Sequence, residues 1–205
     1  VFDRRGHAVY RVPADRSRAE KLVAIGGEDG RVLEPSAFDA APDGTFVVAD
    51  APNGRERVQI FAKDGTRTGG FQLPGRATAR VTLGALSLSG VGTLQFTGRS
   101  VLISQPETGG LMTEYGLAGT PVRTIGRLRS TGHEADRDLR LARNAGIPLK
   151  DAGGGYWFVF LAGEPALSRF DRQGQLLFHR RMQGRELDPV VAALPMVWPR
   201  RAIDG

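Results

Sequence analysis

The sequence predicts an all-β fold made of repeated four-stranded antiparallel units, and three observations lead to this prediction. Glycine and proline are frequent, at 28 and 12 of the 205 residues, and patterns of helical period are few, which favours short strands joined by turns. The stretch 57–65, RVQIFAKDG, reads as an alternating strand that closes on a tight turn. Similar turns recur along the chain, so this hairpin is one copy of a repeat.

The repeat consists of two interleaved series of glycine turns. The first series reads VFDRRG, IFAKDG, EYGLAG and RFDRQG, and its copies end at Gly6, Gly65, Gly119 and Gly174. The second series ends at Gly44, Gly98, Gly154 and Gly205, at intervals of 54, 56 and 51 residues. Tight hairpin turns need positive φ angles, which glycine adopts without strain. A period of this size without a helical pattern indicates the blades of a β-propeller.

The turns divide the chain into blades of four antiparallel strands within one propeller region, 1–205. We predict three full blades, at about 36–73, 93–128 and 147–182, and two partial ones, at 1–13 and 197–205. In the first partial blade, the chain is expected to start in a third strand and to continue with a fourth, 8–12. The second strands, FVVAD, SVLIS and YWFVFLA, are almost continuously apolar. This indicates sheets that are covered on both faces.

One unit also resembles a known family. The segment 26–65, GGEDGRVLEPSAFDAAPDGTFVVADAPNGRERVQIFAKDG, resembles an NHL repeat in its glycine-rich lead-in, its two Asp-Gly turns, its VAD strand end and its RVQIF strand. The later units match only in spacing and turn chemistry. NHL proteins are most often six-bladed, TolB-like propellers, so the resemblance implies that this chain is part of a six-bladed ring.

The blade pattern also locates a candidate binding surface. In a propeller, the loops that follow each fourth strand lie at the same end as the loops between second and third strands. We call this end the loop face, and the end with the glycine hairpins the turn face. The loop face is predicted to contain 13–35, 51–56, 74–92, 106–110, 129–146, 163–165 and 183–195. Within it, the segment 132–144 has the composition of a short helix with Leu139 and Leu141 as its apolar anchors.

Long loops on a rigid scaffold are where binding residues usually lie. The polar side chains that the loop face offers to a partner are Arg31, Asp50, Asn53, Arg55, Glu107, His133, Arg143 and Arg185. Asp50, which follows the strand VVA, also has the structural alternative of bonding backbone N–H groups of a loop. We expect that structural role for Asp50.

Three functions are compatible with these residues. The first is a non-catalytic binding or scaffold propeller whose loop face contacts a protein, peptide or glycan, because the sequence shows no convergent nucleophile, base or metal set. The second follows from the implied six-bladed propeller, because some six-bladed enzymes, such as gluconolactonase-like hydrolases, hold calcium in a central channel. It implies a calcium-dependent hydrolase or lyase with Glu34 and Asn144 as oxygen ligands in a central channel. The third is RNA binding, which some NHL propellers perform.

Composition excludes sites that need cysteine and weighs against nucleic-acid binding. The chain has no cysteine, which rules out disulfides and thiolate zinc sites, and its three histidines are dispersed. No cofactor is therefore predicted, and calcium is the one metal that the alternative function would require. The net charge of +6 comes from arginines spread along the chain, whereas a nucleic-acid groove needs them gathered on one surface.

Two features concern membranes and location. The longest apolar run, 190–198, is interrupted by a proline and is far shorter than the roughly 20 residues that span a bilayer. Bacterial proteins of similar sequence are often exported, so the resemblance implies a periplasmic or secreted location.

Overall fold

Antiparallel sheets follow one another along the chain in a computed structural model that describes residues 1–74, 81–83, 86–88, 93–163 and 165–189. The strands of the first sheet are β1 (Phe2–Asp3), β2 (Ala8–Arg11) and β3 (Glu20–Val23). Those of the next are β4 (Ala37–Ala40), β5 (Phe46–Asp50), β6 (Arg57–Phe61) and β7 (Arg67–Gln72). A short hairpin follows, with strands β8 (Val81–Leu83) and β9 (Leu86–Leu88).

Two further four-stranded sheets complete the described fold. The first contains β10 (Leu94–Phe96), β11 (Ser100–Ser104), β12 (Gly110–Gly116) and β13 (Pro121–Arg127). The second contains β14 (Gly146–Lys150), β15 (Tyr156–Phe160), β16 (Ala166–Phe170) and β17 (Leu176–Arg181). In every sheet the strands lie side by side in chain order. This repeated meander confirms the predicted class, an all-β partial β-propeller.

The segment predicted to be helical contains α1 (Arg137–Asn144). Asp136 caps its N-terminus by accepting a hydrogen bond from the Leu139 N–H at 3.2 Å, and Leu139 and Leu141 are buried as predicted. Within the described part of the chain, no helix is long and apolar enough to cross a membrane.

The hydrophobic core lies between successive sheets. Each of three buried clusters combines residues of two neighbouring sheets, for example Val47 and Ile103 in one cluster and Leu102 and Phe158 in the next. Between the first two sheets the apolar contacts include stacked rings: Phe2 in β1 and Phe38 in β4 lie 5.4 Å apart and nearly parallel. Burial of apolar surface between sheets is therefore what aligns one blade with the next.

Polar side chains join the first strands of neighbouring four-stranded sheets. The Phe96 N–H donates to Asp39 Oδ2 at 2.7 Å. Gln95 bonds both backbone groups of Lys150, accepting from its N–H at 2.5 Å and donating to its carbonyl at 3.3 Å. A first strand is an edge strand with unpaired backbone groups, and these side chains satisfy several of them.

The prediction that second strands are covered on both faces holds for two of the three sheets. Every residue of β5 and of β11 is buried, but in β15 Trp157 and Val159 are only half-buried and alternate with buried residues. One face of the β14–β17 sheet packs against the β10–β13 sheet. Among the described residues no further sheet packs on its other face, which explains the alternation.

The first partial blade differs from the prediction. The range 13–35 was expected to be a loop, but β3 lies within it and pairs with β2. A Cβ atom added to turn residue Gly119 or Gly174 would meet a fourth strand of the preceding sheet, at Phe71 in β7 or Ile125 in β13. One added to Gly65 would meet Leu22 in β3. This equivalence makes β3 the fourth strand of its blade, so β1 and β2 are the second and third.

Two other expectations concern the predicted loops and the C-terminus. The range 74–92 was predicted as a loop, and the structure places β8 and β9 inside it. The predicted partial blade at 197–205 lies outside the described residues, as does the end of the predicted loop 183–195.

Candidate binding faces

The loop face is organised around the connection between β3 and β4, residues 24–36. The Val32 N–H donates to the Ala24 carbonyl at 3.1 Å, and the Gly26 N–H donates to the Val32 carbonyl at 3.0 Å. The Ala51 N–H, just after β5, donates to the Leu33 carbonyl at 3.1 Å. The loop therefore folds back on itself and is attached to the second strand of the β4–β7 sheet.

Asp50 is the buried anchor of this loop. Its carboxylate accepts two hydrogen bonds from Arg57, from Nε at 2.8 Å and from one terminal nitrogen at 3.0 Å, and a third from the Leu33 N–H at 3.0 Å. The Asp50 side chain is 0% exposed and that of Arg57 is 8% exposed. A bidentate Arg–carboxylate pair is strong and geometrically specific. The geometry thus gives Asp50 the structural role that the sequence favoured.

Arg57 and Gln59 hold the same loop through its backbone. Arg57 donates to the carbonyl oxygens of Glu28 and Arg31 at 3.3 and 3.2 Å, and its third contact is the Asp29 carboxylate at 3.2 Å. Gln59 donates to the Arg31 carbonyl at 2.7 Å and accepts from the Gly30 N–H at 3.0 Å. Sequence reasoning missed both residues. The signal that could have found them was the alternation of Arg57 and Gln59 with apolar residues in RVQIF, a strand that the structure buries completely.

Most other predicted partner-binding residues lie at the surface. Arg31 is exposed and forms an ion pair with Glu28 at 2.9 Å. Asn53 and Arg55 are exposed in the loop between β5 and β6, where Asn53 has a φ of 57°. Arg185 is exposed after β17.

Three predicted residues are only half-buried. Glu107 lies in the short 3-10 turn between β11 and β12, and His133 in the loop before α1. Arg143 donates to the Thr131 carbonyl at 2.9 Å. These three side chains line the same loop face from the later blades.

The two predicted calcium ligands differ in their surroundings. Glu34 is exposed just before β4, with a φ of 53°. Asn144 is fully buried just before β14, and its amide bonds the backbone: it accepts from the Arg129 N–H at 2.9 Å and donates to the carbonyls of Arg129 and Arg140 at 3.2 and 3.0 Å. No cluster of three or more His, Asp or Glu side chains suited to a metal occurs among the described residues. Calcium binding stays a prediction.

A second polar cluster lies between the β10–β13 and β14–β17 sheets and was not predicted. Glu114, whose side chain is 6% exposed, accepts hydrogen bonds from Ser100 at 2.6 Å, from Lys150 Nζ at 2.7 Å and from the Tyr156 hydroxyl at 2.8 Å. Lys150 and Tyr156 are 36 and 42 residues away in sequence. Only the packing of one blade on the next brings them to Glu114.

The cluster fixes the charges of its members. Burial raises the pKa of Glu114, but the hydrogen bonds from Lys150, Ser100 and Tyr156 outweigh burial and bring this pKa below its usual 4.5. Burial lowers the pKa of Lys150, but its bond to Glu114 more than compensates and the pKa is raised. Burial and the bond to Glu114 both raise the pKa of Tyr156. At neutral pH the cluster therefore contains a carboxylate, an ammonium and a neutral phenol.

This cluster predicts a pH-dependent stability. Because the pKa of Glu114 is lower in the folded state, its contribution is present above pH 4.5 and is lost as the pH falls through that lowered pKa. We expect Glu114→Gln to lower the free energy of unfolding by about 1–3 kcal/mol at pH 7, and by much less at pH 3. Urea unfolding of both proteins at the two pH values measures this. A Glu20→Gln variant, which removes a surface ion pair, serves as a control, and an equal Glu114→Gln effect at both pH values would contradict the assignment.

The fold and its two faces define the chain as part of a β-propeller. No protein-family profile and no curated protein matches it. Among solved structures, a protein described as a candidate gluconolactonase is similar, with a TM-score of 0.49 and 17% identity, over 87% of this chain and 57% of that one. A Bacteroides caccae protein of unknown function is similar with a TM-score of 0.37 and 11% identity, over 92% of this chain and 78% of that one.

The chain thus spans less than two thirds of the first of these proteins. Neither likeness is close enough to transfer a function. The propeller class depends on the arrangement of the strands themselves.

Proposed function

We propose that this chain is a non-catalytic binding propeller whose loop face presents a fixed polar surface to a protein, peptide or glycan. The observation that carries this proposal is the attachment of loop 24–36 by the buried Asp50–Arg57 pair. A loop that is ordered before its partner arrives avoids much of the entropy that binding would otherwise cost. The exposed charges around it, on Glu28, Arg31 and Arg55, include both signs and suit specific polar contacts.

The contacts of two buried carboxylates support binding over catalysis. A general base works best with a pKa near the operating pH. Asp50 forms a bidentate pair with Arg57, and Glu114 is held as an anion by Lys150 and two hydroxyl groups. Both side chains contribute to holding structure together, which favours the scaffold over a hydrolase.

We infer further that the β4–β7 sheet is an NHL-type repeat within a six-bladed ring. Two motif positions that carry the sequence resemblance, the Asp of VAD and the Arg of RVQIF, are Asp50 and Arg57. Their pairing and their bonds to loop 24–36 explain physically why the motif has Asp and Arg at these positions, which supports the inference.

The distribution of arginines supports a protein, peptide or glycan partner over RNA. Several arginines are committed to carboxylates, including Arg57 with Asp50, Arg67 with Asp29 and Arg169 with Asp151. RNA binding needs cationic side chains gathered on one face.

The proposal is tested by screening the purified chain on glycan and peptide arrays. We expect ligands whose binding is lost in Arg55→Glu, on the loop face, and kept in Arg99→Glu, on the turn face; both arginines are exposed. Melting curves should show that both variants are folded. Ligands that respond equally to the two substitutions, or only to the change at Arg99, would contradict a loop-face site.

A further inference from the structure

A pocket of about 470 Å³ opens between two blades at the turn face, on the opposite side from loop 24–36. The β10–β13 sheet contributes Glu114 and Arg123 to its lining, and the β14–β17 sheet contributes Lys150, Tyr156 and Arg172. Sites for small molecules typically have volumes of about 300–1,000 Å³. The pocket is thus large enough for a small metabolite.

The lining has more positive than negative charge. Lys150 and Glu114 neutralise each other through their 2.7 Å contact. Among the described residues, neither Arg123 nor Arg172 forms an ion pair with a carboxylate. Two guanidinium charges at the pocket are therefore not balanced by an acidic side chain.

Backbone contacts orient both guanidinium groups. Arg123 donates to the carbonyl oxygen of Arg172, and Arg172 donates through Nε to the carbonyl oxygen of Gly153. An arginine has five N–H donors, so each side chain keeps donors beyond the one that this contact uses. Bidentate donation to carboxylate or phosphate is the strongest use of such groups.

Gly153 and Gly154 of the glycine-rich turn 153–155 also line the pocket. The sequence of this turn is explained by the hairpin between β14 and β15, and Gly154 has a φ of 79°. A Cβ atom on Gly154 would lie 3.5 Å from the Arg172 side chain. The absence of side chains in this turn leaves the guanidinium of Arg172 accessible at the pocket.

We propose that this pocket binds a small phosphorylated molecule, whose dianionic phosphate is held by Arg123 and Arg172. The two unbalanced guanidinium charges favour a dianion over a single carboxylate. Lys150 and Glu114 lie along the same lining and provide a donor and an acceptor for a polar group on the rest of the molecule. This site is independent of the loop-face function and would stand if that function failed.

Titration with inorganic phosphate and, separately, with acetate at constant ionic strength tests the proposal, using calorimetry and amide chemical shifts. We expect saturable phosphate binding that is tighter than acetate binding, with shifts at Gly153 and Gly154. Arg172→Gln and Arg123→Gln should each weaken phosphate binding by at least about tenfold, because each removes a charge-assisted hydrogen-bond donor.

Arg137→Gln is the matched control, because Arg137 lies on α1 with its side chain 72% exposed. It should bind phosphate as the wild type does, and melting curves should confirm that all variants are folded. Binding that does not saturate, that acetate matches, or that all three arginine variants weaken equally would overturn the proposal. Two pocket variants are used so that the loss of fold in one leaves the other as a test.

Discussion

Asp50→Ala is expected to lower the free energy of unfolding by roughly 3–5 kcal/mol, because it leaves the Arg57 guanidinium buried without its carboxylate. The same change removes the acceptor of the Leu33 N–H. Domains of this kind are stable by only about 5–15 kcal/mol, so the loss is a large share of the total. Urea unfolding monitored by circular dichroism measures it.

Asp29→Ala is the matched control, because Asp29 contacts the same Arg57, and also Arg67, but its side chain is 66% exposed. Each pair with such an exposed partner contributes at most about 1 kcal/mol, so this variant should lose much less stability than Asp50→Ala. The double variant Asp50→Ala/Arg57→Met should recover part of the stability, since it leaves no uncompensated buried charge. Equal losses for Asp50→Ala and Asp29→Ala would show that the buried pair does not anchor the loop.

Gly65→Ala is expected to destabilise the chain by roughly 2–5 kcal/mol, through backbone strain and overpacking together. Gly65 has a φ of 87°, where a side chain costs about 1–2 kcal/mol. A Cβ atom there would also lie 2.5 Å from the Leu22 carbonyl oxygen in β3. Backbone of the preceding blade would have to move to relieve this contact.

Gly109→Ala separates the two contributions. Gly109 has a similar φ of 90°, and nothing lies within 4 Å of a Cβ atom added there. It should therefore show the strain alone, about 1–2 kcal/mol. If Gly65→Ala were no more destabilising than Gly109→Ala in thermal and urea unfolding, the packing of the Gly65 turn against β3 would be wrong.

The full blades could be predicted because their signals are local. Hairpin turns with Asp and Gly, such as the one at Asp64 and Gly65, depend on short-range backbone geometry that the sequence states directly. The helix α1 was predicted for the same reason, from two apolar residues in a polar segment.

The positions of the strands within the first partial blade could not be assigned from sequence, because turn chemistry does not encode whether a strand is first, second, third or fourth in its blade. The turn at Gly6 resembles the one at Gly65, yet it joins the second and third strands of its blade, whereas Gly65 joins the third and fourth. Only the contact between Gly65 and Leu22 settles the order. The hairpin β8–β9 was missed because it falls outside the repeat period.

The functional geometry was predictable only in part. The structural role of Asp50 followed from the chemistry of Asp after a strand, but its partner Arg57 lies on the neighbouring strand and was read only as part of a pattern. Glu114, Lys150 and Tyr156 come from different blades. No sequence spacing indicates a cluster that forms only where two sheets pack together.

Hydrogen exchange at the amides of Gly30 and Leu33 tests most directly the claim that loop 24–36 is held in place before any partner binds. These N–H groups donate to Gln59 and Asp50, respectively. The account predicts protection in the free wild-type chain that approaches that of strand amides in β5, and its loss in Asp50→Ala. Exchange of both amides in the wild type at the rate of an unstructured peptide would contradict the account.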